Sequence, residues 1–186
     1  MVREILLVVV ITASPLQGGA VRQVIQDNFG SGFENINDQY RVGDFNGDGK
    51  ADIAIALYGD EARTQLAKRG VRVINTNPVD GAENGKPING PLAGTNCLGL
   101  GIVLGYQRSA SEIPASDRFY TYDCFSSVDL ISKVRKVPSP DRRLKWKEVP
   151  PSLKGDALLL DEEDGGTRLL YWTGDTFRGF PQRRGD

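Results

Sequence analysis

Residues 43–58 have the sequence G-D-F-N-G-D-G-K-A-D-I-A-I-A-L-Y, and this stretch determines most of what the chain can be expected to form. Its first part carries side-chain oxygens at regular spacing, on Asp44, Asn46, Asp48 and Asp52. Gly49 lies where so short a loop must turn sharply, and such a turn is costly for a residue with a Cβ. The pattern therefore predicts a tight loop that offers several oxygens to one ligand.

Calcium is the ligand that this spacing favours. Ca²⁺ takes six to eight oxygen ligands at about 2.3–2.6 Å, and one short loop can supply most of them from alternate residues. The loop offers the four side chains above, with Asp52 acting directly or through water, and the backbone carbonyl of Lys50. Three carboxylates this close together would repel one another without a cation between them. The alternative is a polar hairpin turn that binds no ion, because Asn-Gly and Asp-Gly both form turns readily.

The residues around the loop distinguish it from an EF-hand. An EF-hand has a bidentate Glu at its twelfth position and a helix leading away. The twelfth position here is Ile55, within D-I-A-I-A-L, where large and small apolar residues alternate. That alternation predicts a buried strand. Because the preceding Q-Y-R-V also favours a strand, we expect the loop to join two strands.

In these features residues 43–58 resemble the calcium loops of FG-GAP and VCBS repeats, whose pattern is Asp-x-Asn-x-Asp-Gly-x-x-Asp followed by a strand. The resemblance implies an extracytoplasmic, calcium-stabilised, β-rich protein. It implies metal ligands at Asp44, Asn46, Asp48, Lys50 (through its backbone) and Asp52. Those families repeat the loop several times, whereas this chain has it once, so a propeller is not implied.

Composition indicates one soluble globular domain. The chain has 186 residues, of which 39 % are hydrophobic and 25 % charged, as is ordinary for such a domain. A formal net charge of −1 gives no reason to expect nucleic acid as a partner. The chain contains no His, which removes the commonest general base and the commonest transition-metal ligand.

The N-terminus has the pattern of a secretory signal peptide. Arg3 provides a positive residue, residues 5–11 form an apolar core, and Gly18 and Ala20 fit a small-residue cleavage site. The apolar run is shorter than the roughly 20 residues that span a membrane. We therefore expect residues 1–20 to be removed and a periplasmic or secreted mature chain without a membrane span. The alternative is a buried first strand.

The two cysteines agree with export. Cys97 precedes L-G-L-G-I-V-L-G-Y and Cys124 ends R-F-Y-T-Y-D-C, two strand-like stretches separated by a loop. A hairpin centred near residues 110–111 would place them opposite each other, close enough for a disulfide. Such a bond would add about 3–4 kcal/mol on the chain-entropy model. Buried free thiols are the alternative, and a catalytic thiol would lack a His to activate it.

The remaining periodicity predicts an α+β fold. Apolar residues recur at helical spacing over residues 21–29, and a second short helix is predicted between Asp60 and Gly70. Strand-like stretches on both sides of E-E-D-G-G predict a hairpin. We expect an antiparallel, hairpin-rich sheet with one or two helices on one face, in a single domain over residues 21–186. Residues 75–96 are expected to form a long loop.

Two charged groups are further candidate sites. Six basic residues could form a stripe that binds an anionic glycan, lipid or acidic protein: Lys133, Arg135, Lys136, Arg143, Lys145 and Lys147. The alternative is an edge strand whose charges oppose aggregation. Four acids could supply the paired carboxylates of a glycosidase: Asp161, Glu162, Glu163 and Asp164. A run of acids in a turn is normally only solvated.

Three functions follow from these patterns. The first is an exported, monomeric, non-catalytic calcium-binding domain, in which Ca²⁺ rigidifies the loop and an exposed surface binds an unknown protein or glycan. The second is a periplasmic inhibitor or immunity-type protein, which rests on size, export and the disulfide. The third is a carboxylate-based hydrolase. The first is preferred because the sequence has no nucleophile–base pair, no Cys/His metal cluster and no phosphate-binding loop.

Overall fold

The structure is a computed structural model that describes residues 18–59, 63–76, 99–122, 125–131, 153–162 and 166–182. The helices are α1 (Gly18–Asn28) and α2 (Arg63–Lys68), and a 3-10 helix spans Ala115–Asp117. The strands are β1 (Phe33–Gly43), β2 (Asp52–Gly59), β3 (Arg72–Ile74), β4 (Gly99–Val103), β5 (Arg118–Tyr122), β6 (Phe125–Ile131), β7 (Ala157–Glu162), β8 (Thr167–Trp172) and β9 (Phe177–Gln182).

These strands form two sheets. The first sheet has the order β1-β2-β4-β5-β3, and the second sheet has the order β6-β7-β8-β9. All pairs are antiparallel except β3 with β5, which is parallel. The predicted α+β class with antiparallel, hairpin-rich pairing is confirmed. The division into two sheets and the parallel pair were not predicted.

The first sheet is covered on both faces, and strand β2 shows why. Its larger residues, Ile53, Ile55 and Leu57, face the two helices. They share one apolar cluster with Val21 and Ile25 of α1 and with other residues of the helices and the first sheet. Both predicted helices therefore pack on the same face. Burying this face offsets the conformational entropy that the helices lose on folding.

The other face of β2 packs on the second sheet. Ala54 and Ala56 are fully buried there, and their small side chains let the second sheet approach closely. The cluster between the sheets includes Phe45, Ile102, Phe119, Leu158, Leu160, Leu170 and Phe177. The order of layers is thus helices, first sheet, second sheet. The large and small residues of D-I-A-I-A-L alternate because the large ones face the helices and the small ones face the second sheet. The stretch is apolar throughout because both faces of the strand are buried.

Several sequence predictions concern residues outside the described part of the chain. These are the signal segment up to residue 17, most of the predicted long loop (residues 77–96), both cysteines and all six residues of the basic stripe. They stay predictions. Gly18–Ala20, the proposed cleavage site, form the first residues of α1, before its first buried residue, Val21. Among the described residues, no helix is long and apolar enough to cross a membrane.

Candidate metal centre

The candidate metal centre is the loop between β1 and β2, hereafter the 44–52 loop. The two strands pair directly where the loop closes, with Gly43 opposite Asp52. Two glycines in the loop adopt left-handed backbone angles, Gly47 with φ 77° and Gly49 with φ 82°. L-residues with a Cβ rarely adopt such angles. The sharp turn predicted at Gly49 is therefore confirmed, and Gly47 makes a second one.

The loop is closed from within by side-chain oxygens that accept backbone N–H groups. Asp44 Oδ1 accepts from the Gly47 amide at 2.8 Å, and Asp44 Oδ2 accepts from the Gly49 amide at 3.0 Å. Asn46 Oδ1 accepts from the Asp48 amide at 2.9 Å. Each oxygen uses one lone pair in this way, so each can still accept from another partner. The side-chain oxygens that hold the turn in shape can therefore still bind a further partner.

Asp48 lies at the exposed tip of the loop. Its Oδ1 accepts from the Lys50 amide at 2.9 Å, and its Oδ2 lies 3.7 Å from the Lys50 ammonium. The two side chains are 41 % and 65 % exposed, and ion pairs between such exposed groups contribute little. Little free energy therefore opposes a reorientation of the Asp48 carboxylate.

Asp52 is the most constrained side chain of the loop. It is fully buried, and both of its oxygens accept backbone N–H groups. Oδ2 accepts from Phe45 at 2.8 Å and from Asn46 at 3.4 Å, whereas Oδ1 accepts from Gly105 at 2.7 Å. Phe45 is itself fully buried between the sheets. Asp52 thus ties the start of the loop to the turn after β4, a structural role that the spacing of the loop did not reveal.

Burial raises the pKa of the Asp52 carboxyl to about 6. The hydrogen bonds from Gly105, Phe45 and Asn46 oppose this rise, and the charge of Asp48 adds to it. A folded-state pKa above the ordinary value of 3.8 means that ionisation costs stability. In the ion-free protein the stability contributed by this group is therefore fully present below pH 3.8 and is lost as the pH rises through about 6.

A segment distant in sequence completes the surroundings of the loop. The Asp44 amide donates to Asp156 Oδ2 at 2.9 Å, and the Asp156 amide donates to the Asp44 carbonyl at 2.7 Å. A Cβ on Gly155 would clash with the carbonyls of Asp44 and Phe45. Residues 154–156 directly precede β7 of the second sheet. The 44–52 loop of the first sheet therefore packs on the segment that leads into β7. In the sequence, this contact is indicated only by the pair Gly155-Asp156 before an apolar strand, and such a pair is a weak signal.

Replacing each of the two loop glycines with alanine should show whether the loop packs against Lys154. Both have nearly the same φ, so alanine at Gly49, with nothing within 4 Å of its Cβ, should cost about 1 kcal/mol of backbone strain. Alanine at Gly47 would add a clash with the Lys154 carbonyl, and we expect about 2 kcal/mol in total. Urea unfolding of both variants with excess chelator is the measurement. Equal losses would show that the loop does not rest on Lys154.

The donor set of the loop fits a hard cation in its chemistry. It consists of oxygens alone, and the two glycines keep side chains out of the turn. Among the described residues, however, no three acidic, His or Cys side chains lie close enough together to hold a metal ion. Asp52 is fully buried and accepts three amide hydrogen bonds, one more than Asp44 accepts. It is therefore the predicted ligand with the least remaining capacity to bind an ion.

Of the four acidic side chains near the C-terminus, the structure describes that of Asp161. Asp161 and Glu162 belong to strand β7, which therefore extends one residue into the predicted E-E-D-G-G turn. Asp161 Oδ2 accepts from the Ser127 hydroxyl at 2.8 Å, a cross-strand hydrogen bond between β6 and β7. The side chains of the other three acids lie outside the described set. The hydrolase hypothesis therefore stays a prediction.

Comparison of the chain with protein-family models, with curated proteins and with solved structures finds no match. The resemblance to FG-GAP and VCBS calcium loops therefore rests on the pattern of the 44–52 loop itself.

Proposed function

We propose that this chain is a non-catalytic calcium-binding domain, in which one ion bound by the 44–52 loop stabilises the fold. The residues that would hold Ca²⁺ are those that supply oxygen to the loop: Asp44, Asn46, Asp48, Lys50 through its carbonyl, and Asp52 directly or through water. The ion would supply positive charge among the carboxylates. The residues themselves supply the turn, the hydrogen bonds that keep it closed, and the attachment to both sheets.

The observation that carries this proposal is that the negative charge of Asp44 is balanced by no basic side chain of the loop. Among the described residues, no basic side chain pairs with Asp44, whose oxygens are met by amides alone. Asp48 has only an exposed contact with Lys50, at 3.7 Å. A divalent cation would offset the charge of Asp44 and the repulsion between Asp48 and Asp52, which a hairpin turn without an ion would leave in place.

The affinity should be moderate and selective for calcium. Without the bidentate Glu of an EF-hand, and with Asp52 already engaged, we expect a Kd on the order of 10⁻⁵–10⁻⁴ M. Magnesium should bind much more weakly, because it gives up water reluctantly and requires near-ideal octahedral geometry. Isothermal titration of the chelator-treated full chain with each ion, separately, is the test. One calcium site and little heat from magnesium support the proposal, whereas no calcium binding at millimolar concentration contradicts it.

Export and partner binding are part of the same proposal. A site of this affinity is filled at the millimolar calcium found outside cells, and the N-terminal signal pattern and the two cysteines fit that setting. The disulfide between Cys97 and Cys124, which lie outside the described residues, stays a prediction. The partner would be a protein or glycan, with the basic stripe as its candidate surface.

A further inference from the structure

The contact between the 44–52 loop and residues 154–156 joins the two sheets through a pair of reciprocal hydrogen bonds. Asp44 donates its amide to the Asp156 carboxylate, and Asp156 donates its amide to the Asp44 carbonyl, at 2.9 and 2.7 Å. Asp44 is also the residue whose side chain closes the loop through the amides of Gly47 and Gly49. Its main chain is thus fixed by Asp156, and its side chain fixes the turn.

Two further features make this contact specific. Gly155 approaches the carbonyls of Asp44 and Phe45 so closely that any Cβ would clash. Phe45, the next residue of the loop, is fully buried in the cluster between the sheets, together with Leu158 and Leu160 of β7. A shift of the loop would therefore disturb the inter-sheet core, and a shift of β7 would disturb the loop. Close packing transmits such shifts, because cores do not deform continuously.

We infer that Asp156 is a positioning residue for the calcium loop, so that ion binding at the 44–52 loop and docking of the second sheet stabilise each other. This inference rests on the proposed calcium function and adds its regulation. By linkage, the factor by which the docked second sheet tightens calcium binding equals the factor by which calcium favours docking. Asp156 acts through its hydrogen bond to the Asp44 amide, not as a ligand of the ion.

Two substitutions separate the hydrogen bond from the charge. Asp156→Asn keeps a side-chain oxygen that can accept from the Asp44 amide, whereas Asp156→Ala removes it. Calcium titration of the full chain should give a Kd about tenfold higher for Asp156→Ala, and a change of less than about threefold for Asp156→Asn. Asp175→Ala is the matched control, because it removes the same charge from an exposed turn of the second sheet. It should leave the Kd unchanged.

Hydrogen exchange provides a second measurement, and its first comparison uses the wild type alone. At 1 mM calcium and a Kd near 10 µM, protection should rise by about 100-fold over the chelated protein. The rise should be similar in β2 of the first sheet and in β7 of the second. In Asp156→Ala, β7 should gain less protection from calcium than β2 does.

The outcomes distinguish this inference from the proposed function. If the wild type binds calcium but only β2 gains protection, or if Asp156→Ala binds calcium as the wild type does, the coupling is wrong and the calcium site stands. If both Asp156 variants weaken binding tenfold, Asp156 acts by charge and the positioning role is wrong. If the wild type binds no calcium, the proposed function fails, and the coupling fails with it. Should Asp156→Ala not fold, the exchange experiment on the wild type decides.

Discussion

Asp52→Ala in the presence of chelator is expected to lower the free energy of unfolding by about 4 kcal/mol. The substitution leaves the amides of Phe45, Asn46 and Gly105 without their acceptor, and each buried group left unpaired costs about 1–3 kcal/mol. It also removes most of a fully buried side chain and leaves a space in its place. Urea unfolding followed by circular dichroism would measure the loss.

Asp52→Asn is the matched control for this prediction. Asn has nearly the same shape, but only one of its two terminal groups accepts hydrogen bonds, so its amide group would face either Phe45 or Gly105. We expect a loss intermediate between the wild type and Asp52→Ala. Asp48→Ala, which removes an exposed carboxylate from the same loop, should change stability in chelator by less than about 0.5 kcal/mol. An equally small effect of Asp52→Ala would contradict the structural role given to Asp52.

The local elements could be predicted from the sequence because each produces a recognisable pattern of apolar or turn-forming residues over a few positions. The strand over D-I-A-I-A-L follows from alternation, and the helix containing Val21 and Ile25 follows from helical spacing. The hairpin of β7 with β8 follows from strand-like stretches on both sides of a glycine-containing turn. The turn at Gly49 follows from the residue type that a left-handed angle requires. Each of these features is determined by residues within a few positions of one another.

The contacts that attach the loop to the rest of the fold could not be predicted in this way. Asp156 lies 112 positions from Asp44, and Gly105 lies 53 positions from Asp52. No periodicity links residues so far apart, because such contacts depend on how the sheets pack. The same reason explains why the division into two sheets was missed. The sequence predicts that β2 is a buried strand, but the pattern does not say whether a helix or a sheet covers each of its faces.

Calcium is expected to raise the stability of the wild type by about 2.7 kcal/mol at 1 mM, if the Kd is near 10 µM. For a chain of this size, that gain corresponds to an increase in Tm of roughly 5–10 °C. The gain arises because the ion binds the folded loop and not the unfolded chain. Asp48→Ala should lose most of it, since no other side chain of the loop can replace the exposed carboxylate at its tip.

Ile55→Ala is the control for general destabilisation. Ile55 is fully buried between the first sheet and the helices, away from the loop. Its truncation should cost about 2–5 kcal/mol with or without calcium. The difference in stability between calcium and chelator should therefore stay the same as in the wild type. A smaller difference in Ile55→Ala would mean that the calcium effect reports overall stability and not the loop.

Thermal melting of the full chain in 1 mM calcium and in excess chelator, for the wild type and for Asp48→Ala, tests the calcium assignment most directly. The proposal predicts that calcium raises the Tm of the wild type by roughly 5–10 °C and that of Asp48→Ala by a small fraction of this. If the wild type melts at the same temperature in calcium and in chelator, the 44–52 loop is a hairpin turn and not a calcium site.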